Sequence, residues 1–396
     1  MLNQIFNLNK IYNMKIKEYF FLIFNIFLYA LSIKRVGDWT IFRNDFQIPP
    51  EPFSELLIYY PNQFVRRGLI GQIIRTFDQD GILFDTAVLI IFINFILFSI
   101  LLFLNIWYSN YSEFQHFLII FSTFGIFHMS SYKQYFYRKE LFILSIFLLI
   151  NFILKFKKYP FLTFLIIGLL TSLAILIHEG VALLMFPFVA YQVKILFSNI
   201  NFYKYFLYFC SIIFLLVIIN SGNAEISNKI RSSLSSEDLS LIEQYSSSSE
   251  KMDGIAWIGK SIFDTLELSF VLMFSGSVLL WSVYLFLLIY GLIIITGINY
   301  QSFNFNNVYK FLTINKLFFL IPIIFFIAMD WGRWILVLFY FSVFTLSSVD
   351  KYNKLTNINL QFLLYALASF LTIMPECCLQ MSKLDIIFVN LKNIFT

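Results

Sequence analysis

The sequence predicts an all-α polytopic membrane protein, one integral membrane domain over 1–396, on three observations. Of its 396 residues 59% are hydrophobic and only 13% charged, whereas a soluble domain carries about 25% charged residues. Apolar runs of about 20 residues, long enough to cross the hydrocarbon as helix, recur along the chain. Lysines gather in alternate connections between those runs, as the positive-inside rule requires. Soluble and single-span architectures are excluded.

The runs fall at 17–33, 87–107, 115–130, 140–155, 161–177, 180–197, 203–220, 268–296, 313–329, 333–349 and 359–374. They predict about eleven transmembrane helices, within a range of about 10–12. The runs 115–130 and 140–155 are short and polar at one end. The stretch 262–298 is too long for one upright helix, so it is either a tilted helix or a re-entrant segment followed by a span. Lys10, Lys15 and Lys17 precede the first run and place the N-terminus in the cytoplasm. Lys155, Lys157, Lys158, Lys194, Lys204, Lys310, Lys316, Lys351 and Lys354 keep the same parity, opposed only by Glu113 and Asp350.

Two larger extracytoplasmic loops remain, 34–86 and 221–267. The second is Ser-rich and acidic and reads as a solvated, mobile loop and a candidate lid. The first apolar run lacks a small-residue cleavage site and reads as a signal anchor. The high Phe count, 52 residues, goes with abundant Ile, Asn, Lys and Tyr and reflects codon bias, not a ligand cage. Of three Cys, Cys377 and Cys378 are adjacent, a poor geometry for a bridge. No Cys-x-x-Cys occurs, so no zinc site or redox pair is indicated.

On this topology all eight arginines, Arg35, Arg43, Arg66, Arg67, Arg75, Arg138, Arg231 and Arg333, lie outside. The planar guanidinium makes paired, charge-assisted hydrogen bonds to phosphate. Their common side therefore points to an anionic group held there. The first outer loop begins with Asp38 and Asp45 and is broken by Pro49, Pro50 and Pro52. Leu69, Ile70, Ile73 and Ile74 then give helical spacing, with Arg67 and Arg75 flanking the apolar face. Arg66-Arg67-Gly68 stacks two arginines beside a residue that permits close approach; the structural alternative is an interfacial helix with snorkelling arginines.

Three further turns carry charge on the same side. Arg138-Lys139-Glu140 opens the fourth span, where the helix dipole favours Glu140 and disfavours the two cations. His178-Glu179-Gly180 breaks two apolar spans. It lacks the second histidine of a zinc-protease helix, since position 182 is Ala182. Ionisable groups so near the hydrocarbon are costly and functional by default, and Glu179 or His178 is the candidate proton acceptor. Asp330-Trp331-Gly332-Arg333-Trp334 pairs an acid and a base with aromatics, which suits sugar binding, an interfacial belt or a simple Asp330–Arg333 pair. The four charged turns are expected to converge on one outer cavity. His116 and His128 read as satisfied structural residues. Asp78-Gln79-Asp80 lacks the strand context of a metal–nucleotide motif, and no metal ligand set or cofactor motif is found.

Arg66, Arg67, Arg138, His178, Glu179 and Arg333, on a polytopic frame with large outer loops, resemble the GT-C-type membrane glycosyltransferases and especially the Wzy-type O-antigen and capsule polymerases. The acid just after the first span, Asp38 or Asp45, is similar to the acid GT-C enzymes place there, without their acid–acid pair. The resemblance implies a GT-C-like fold in the bacterial inner membrane. It implies a metal-independent, inverting transfer of undecaprenyl-pyrophosphate-linked glycan units outside. In that reading Glu179 and His178 are catalytic, and Arg66, Arg67, Arg138, Lys139, Asp330, Arg333, Asp38 and Asp45 bind substrate. The implied partners are the lipid-linked glycan, membrane lipids and a chain-length regulator, with no nucleic acid and no cofactor. A flippase for the same lipid-linked glycan and a non-enzymatic scaffold are the alternatives; span middles almost free of charge count against transport.

Overall fold

The structure, a computed structural model, describes residues 16–40, 50–61, 64–65, 67–78, 83–109, 111–131, 138–155, 160–197, 200–220, 222–243, 254–255, 258, 267, 278–296, 318, 321, 331–349 and 360–371. Among these residues every regular element is a helix and none is a strand. In chain order they are α1 (Ile16–Thr40), α2 (Pro50–Leu56), α3 (Leu69–Phe77), α4 (Leu83–Tyr108), α5 (Glu113–Phe121), α6 (Ile126–Met129), α7 (Glu140–Leu154), α8 (Pro160–Ile177), α9 (Glu179–Leu196), α10 (Ile200–Ile219), α11 (Ala224–Ser232), α12 (Ser236–Glu243), α13 (Val278–Thr296), α14 (Trp331–Val349) and α15 (Leu360–Leu371).

Among the described residues four helical stretches are long and apolar enough to cross a membrane: Glu18–Asp38, Leu83–Tyr108, Pro160–Ile177 and Phe202–Ile219. Shorter apolar helices cover Glu140–Leu154, Trp281–Ile295 and Arg333–Leu346. Their outward faces are hydrocarbon. On α4, Leu89, Ile93, Leu97 and Ile100 form an exposed stripe at helical spacing, and Leu162, Leu165, Leu169 and Leu173 do so on α8. Contiguous apolar faces of that length are untenable in water and belong against lipid. The chain is a helical membrane protein.

The core lies where α7 packs on α4, α8 on α7 and α9, and α14 on α9 and α13. Away from its charged end, uncharged polar side chains link the helices inside it. Gln192 Nε2 donates to Asn151 Oδ1 at 2.6 Å and to Thr345 Oγ1 at 3.3 Å, joining α9, α7 and α14. Hydrogen bonds of this kind hold helices together in a medium that offers no water.

The element boundaries refine the expected spans. α1 runs to Thr40, so Asp38 lies in its last turn and not in the loop beyond it. The run 115–130 is not one helix: α5 ends at Phe121 and α6 begins at Ile126. Gly125 sits between them, where a Cβ would come within 2.0 Å of the Ile120 carbonyl oxygen. Over 262–298 the described helix is Val278–Thr296, 19 residues, and nearly all of 262–277, on which the choice between a tilted helix and a re-entrant segment turns, lies outside the described residues. The expected span 313–329 lies almost entirely outside the described residues.

One end of the bundle gathers the connections that matter. Arg35 at the end of α1 donates to Ser131 after α6 at 2.9 Å. Asp238 of α12 accepts from the amides of Leu83 and Phe84, at 3.4 and 3.3 Å, satisfying the first donors of α4. Gly254 N donates to Ser54 Oγ at 2.8 Å. The segment expected to be a solvated loop over 221–267 therefore includes two helices packed on the first connection, with Ile226, Ile230, Leu234 and Ile242 buried. At the opposite end Lys155 reaches the last turn of α4, donating to Asn105 O at 2.6 Å and Ser109 Oγ at 3.0 Å.

Candidate functional site: a buried charge cluster at one end of the bundle

The site grows from a backbone turn. α2 delivers Glu55 into the core, and Leu56, Leu57 and Ile58 continue it as buried apolar chain. α3 then lies so close to that chain that a Cβ on Gly71 would fall 2.0 Å from the Ile58 carbonyl oxygen. Of the expected apolar face, Ile70 and Ile74 are buried, together with Gly71, while Leu69 and Ile73 are partly buried against the core. Arg75, on the other side, stacks its guanidinium 3.7 Å from the Tyr59 ring centre and donates to Ser233 Oγ.

Just before α3, Arg67 adopts φ 64°, alone among the described non-glycine residues in the left-handed region. That conformation costs an L-residue about 1–2 kcal/mol. Contacts at three points offset it. The side-chain Nε lies 3.0 and 3.2 Å from the two oxygens of Glu179. The NH1 group donates to Glu55 Oε1 at 3.1 Å. Lys139 Nζ donates to the main-chain carbonyl of Arg67 at 2.5 Å. Strain over-determined in this way is a mark of functional turns.

His178 and Glu179 come from the break between α8 and α9. His178 is extended (φ −159°) and caps α9, its Nδ1 accepting from Val181 N at 3.5 Å. An accepting Nδ1 carries no proton, so in the neutral ring the proton sits on Nε2. Nε2 faces Glu55 Oε1 at 3.6 Å. Burial lowers the His178 pKa to about 4, and nearby Arg67 adds to the effect, against the pull of Glu55, Glu179 and Glu140. His178 is thus neutral, with its Nε2–H side turned toward Glu55 but beyond hydrogen-bond distance. Burial opposes ionisation of Glu55 as well, yet Arg67, His178, Lys139 and Arg333 together hold its carboxyl below the ordinary range. Burial and Arg67 bring Lys139 down to about 8 despite its acidic neighbours. For Arg67, burial is outweighed by Glu179 and Glu55, and its pKa rises.

A second pair adjoins the first. Arg333 NH1 lies 2.7 Å from Glu140 Oε1, both side chains almost wholly buried. Arg138, Glu140 and Arg333 line a small cavity with Met129, Leu141, Leu144 and Leu336. Its size suits about one water molecule. Glu140 Oε2 is buried there without a hydrogen-bond partner among the described residues.

Six of the residues expected at the site are therefore brought together: Arg67, Arg138, Lys139, His178, Glu179 and Arg333. Asp38, half-buried near the end of α1, makes no hydrogen bond or ion pair with them among the described residues. Arg66, Asp45 and Asp330 lie outside the described residues. Two carboxylates carry more than the sequence reading gave them. Glu55 was not singled out, and it touches both Arg67 and His178. Glu140, part of a candidate charged turn but given no role of its own there, is the partner of Arg333.

Exposure within the cluster is uneven. The Arg67 side chain is 24% exposed and Glu179 13%, against 7% for Glu55 and 4% for His178. Arg67 and Glu179 form the face a ligand can reach, and the remaining groups stand behind them. No protein family, curated protein or solved structure matches the chain.

Proposed function

We propose that this protein is a membrane glycosyltransferase acting on undecaprenyl-pyrophosphate-linked oligosaccharide, as a polymerase or single-unit transferase on the extracytoplasmic face of the bacterial inner membrane. The observation that supports it best is the Arg67–Glu179 pair: a phosphate-gripping side chain and a carboxylate, 3.0 Å apart, at the accessible edge of a buried charge cluster. A lipid-linked pyrophosphate needs the first, and an attacking hydroxyl needs the second.

In the reaction, the acceptor hydroxyl oxygen bonds to the anomeric carbon as the bond from that carbon to the pyrophosphate oxygen breaks. One displacement inverts the centre. The hydroxyl proton passes to Glu179, and undecaprenyl pyrophosphate leaves with the bonding electron pair. Arg67 stabilises the charge that grows on the leaving group, a contribution of about 3 kcal/mol for one such donor. At rest the Glu179 oxygens are occupied by hydrogen bonds from Arg67. Pyrophosphate drawing the guanidinium toward itself frees them, so the base is ready when the donor is bound. His178 keeps its proton on Nε2 and faces Glu55, which holds the far side of Arg67.

The test is Arg67→Lys in cells that depend on this gene for their surface polysaccharide. An ammonium keeps the charge but not the fork. The expected result is loss of polymer with lipid-linked units accumulating outside. Lipid-linked units trapped on the cytoplasmic face would instead favour a flippase and defeat the transferase reading.

A further inference from the structure

We infer that Lys139 is a positioning residue that acts through the Arg67 backbone and does not touch the substrate. The inference rests on the proposed role of Arg67 and assigns Lys139 a different part from phosphate binding. Lys139 is fully buried, and its ammonium is spent on the carbonyl of the left-handed residue. Its own carbonyl accepts from Phe142 and Ile143 at 3.1 and 3.3 Å, the first turn of α7. A cation on a rigid helix start thus pins a strained turn in a loop. The ionisable groups facing it are Glu55 of α2, Arg67, Glu179 of α9 and its neighbour Glu140. Arg67 is already held by Glu55 and Glu179 at its side chain. Those contacts aim the guanidinium only while the backbone stays left-handed, and Lys139 supplies that condition.

The consequence is a specific pattern of non-additivity. Glycine enters the left-handed region without strain. In an Arg67→Gly background the main-chain carbonyl remains for Lys139 to bond, but no strained conformation is left to hold and no guanidinium left to aim. The full-length protein in lipid nanodiscs is titrated with inorganic pyrophosphate as wild type, Lys139→Met, Arg67→Gly and the double variant. Lys139→Met is expected to weaken pyrophosphate about tenfold in the wild-type background and not at all beyond Arg67→Gly, the signature of two residues acting through one contact. Losses that multiply would mean that Lys139 meets the phosphate itself and would overturn the inference.

Unfolding temperatures of the same four proteins separate this from the phosphate reading. If wild type binds no pyrophosphate, that reading fails. Lys139 is then judged on stability alone: Lys139→Met should lower the midpoint in wild type and lower it less beside Arg67→Gly. If the single variant does not fold and the double does, the clamp is supported. Equal shifts in both backgrounds, or no folding in either, would end the proposal.

Discussion

Arg67 and Glu179 are 112 residues apart in sequence and meet through Nε and both carboxylate oxygens, at 3.0 and 3.2 Å. A guanidinium contacting a carboxylate through Nε leaves its terminal nitrogens for others, and NH1 takes Glu55. The arginine is therefore bracketed by two carboxylates of different exposure, Glu179 partly exposed and Glu55 buried. Their consequences on substitution should differ.

Glu179→Gln keeps shape and hydrogen bonding but removes the proton acceptor. It is expected to insert and fold normally while the transfer rate drops about 100- to 10,000-fold, the usual contribution of a general base. Glu55→Gln leaves Arg67, His178 and Lys139 facing a neutral amide inside the protein. Breaking one side of a buried ion pair costs about 3–5 kcal/mol. Thermal unfolding in detergent should show a large loss for Glu55→Gln and little for Glu179→Gln. The reverse order would exchange their roles.

The extent to which this was legible in the sequence follows from where the determining contacts lie. α3 was readable from Leu69, Ile70, Ile73 and Ile74, a local period that the helix Leu69–Phe77 keeps. The break at His178-Glu179-Gly180 was readable because ionisable groups interrupt apolar runs. Burial of Glu55 was harder to see, since it depends on packing from far along the chain: a Cβ on Gly254 would sit 2.7 Å from the Glu55 backbone nitrogen. Likewise Ile226, Ile230 and Leu234 carry a helical spacing that serines dilute, so composition alone suggested a solvated loop where α11 packs. The pairing of Arg333 with Glu140 joins residues 193 positions apart, which no local pattern encodes.

Stability should fall on the acid side in two stages. His178 has a folded pKa of about 4, below its ordinary 6.5. Between those values the unfolded chain binds a proton that the folded protein refuses, so stability falls as pH drops from 6.5 toward 4. Glu55, depressed from 4.5, adds a loss that begins below that value. Chemical denaturation across pH 4–8 should show the first slope in wild type and a flatter one in His178→Gln. An unchanged slope would mean that another group dominates the acid limb.

Two glycine substitutions test the packing that builds the site. Gly71→Ala drives a methyl to within 2.0 Å of the Ile58 carbonyl, a backbone atom that cannot step aside. It should cost about 1–3 kcal/mol through displacement of α3 and weaken the Arg67 turn beside it. Gly168→Ala on α8 meets only the Phe209 ring at 3.7 Å, an ordinary contact. Its expected effect is within about 0.5 kcal/mol. Unfolding midpoints of the pair decide whether α3 is held as described.

Sidedness is the last expectation, and the proposed reaction depends on it. Ser240 is exposed on α12, whose Asp238 binds the start of α4 at the same end as Glu55 and Arg67. Lys157, outside the described residues, follows Lys155, which is fixed on the last turn of α4 at the opposite end. In a background with Cys210, Cys377 and Cys378 changed to Ser, Ser240→Cys should react with an impermeant maleimide in cells whose cytoplasmic membrane is intact. Lys157→Cys should react only after that membrane is permeabilised, because the lysine pattern of the connections places it inside. The reverse result would put the charge cluster in the cytoplasm, where nucleotide sugars and not exported lipid-linked units are the donors at hand. Arg67 and Glu179 would then keep their geometry but lose the proposed substrate.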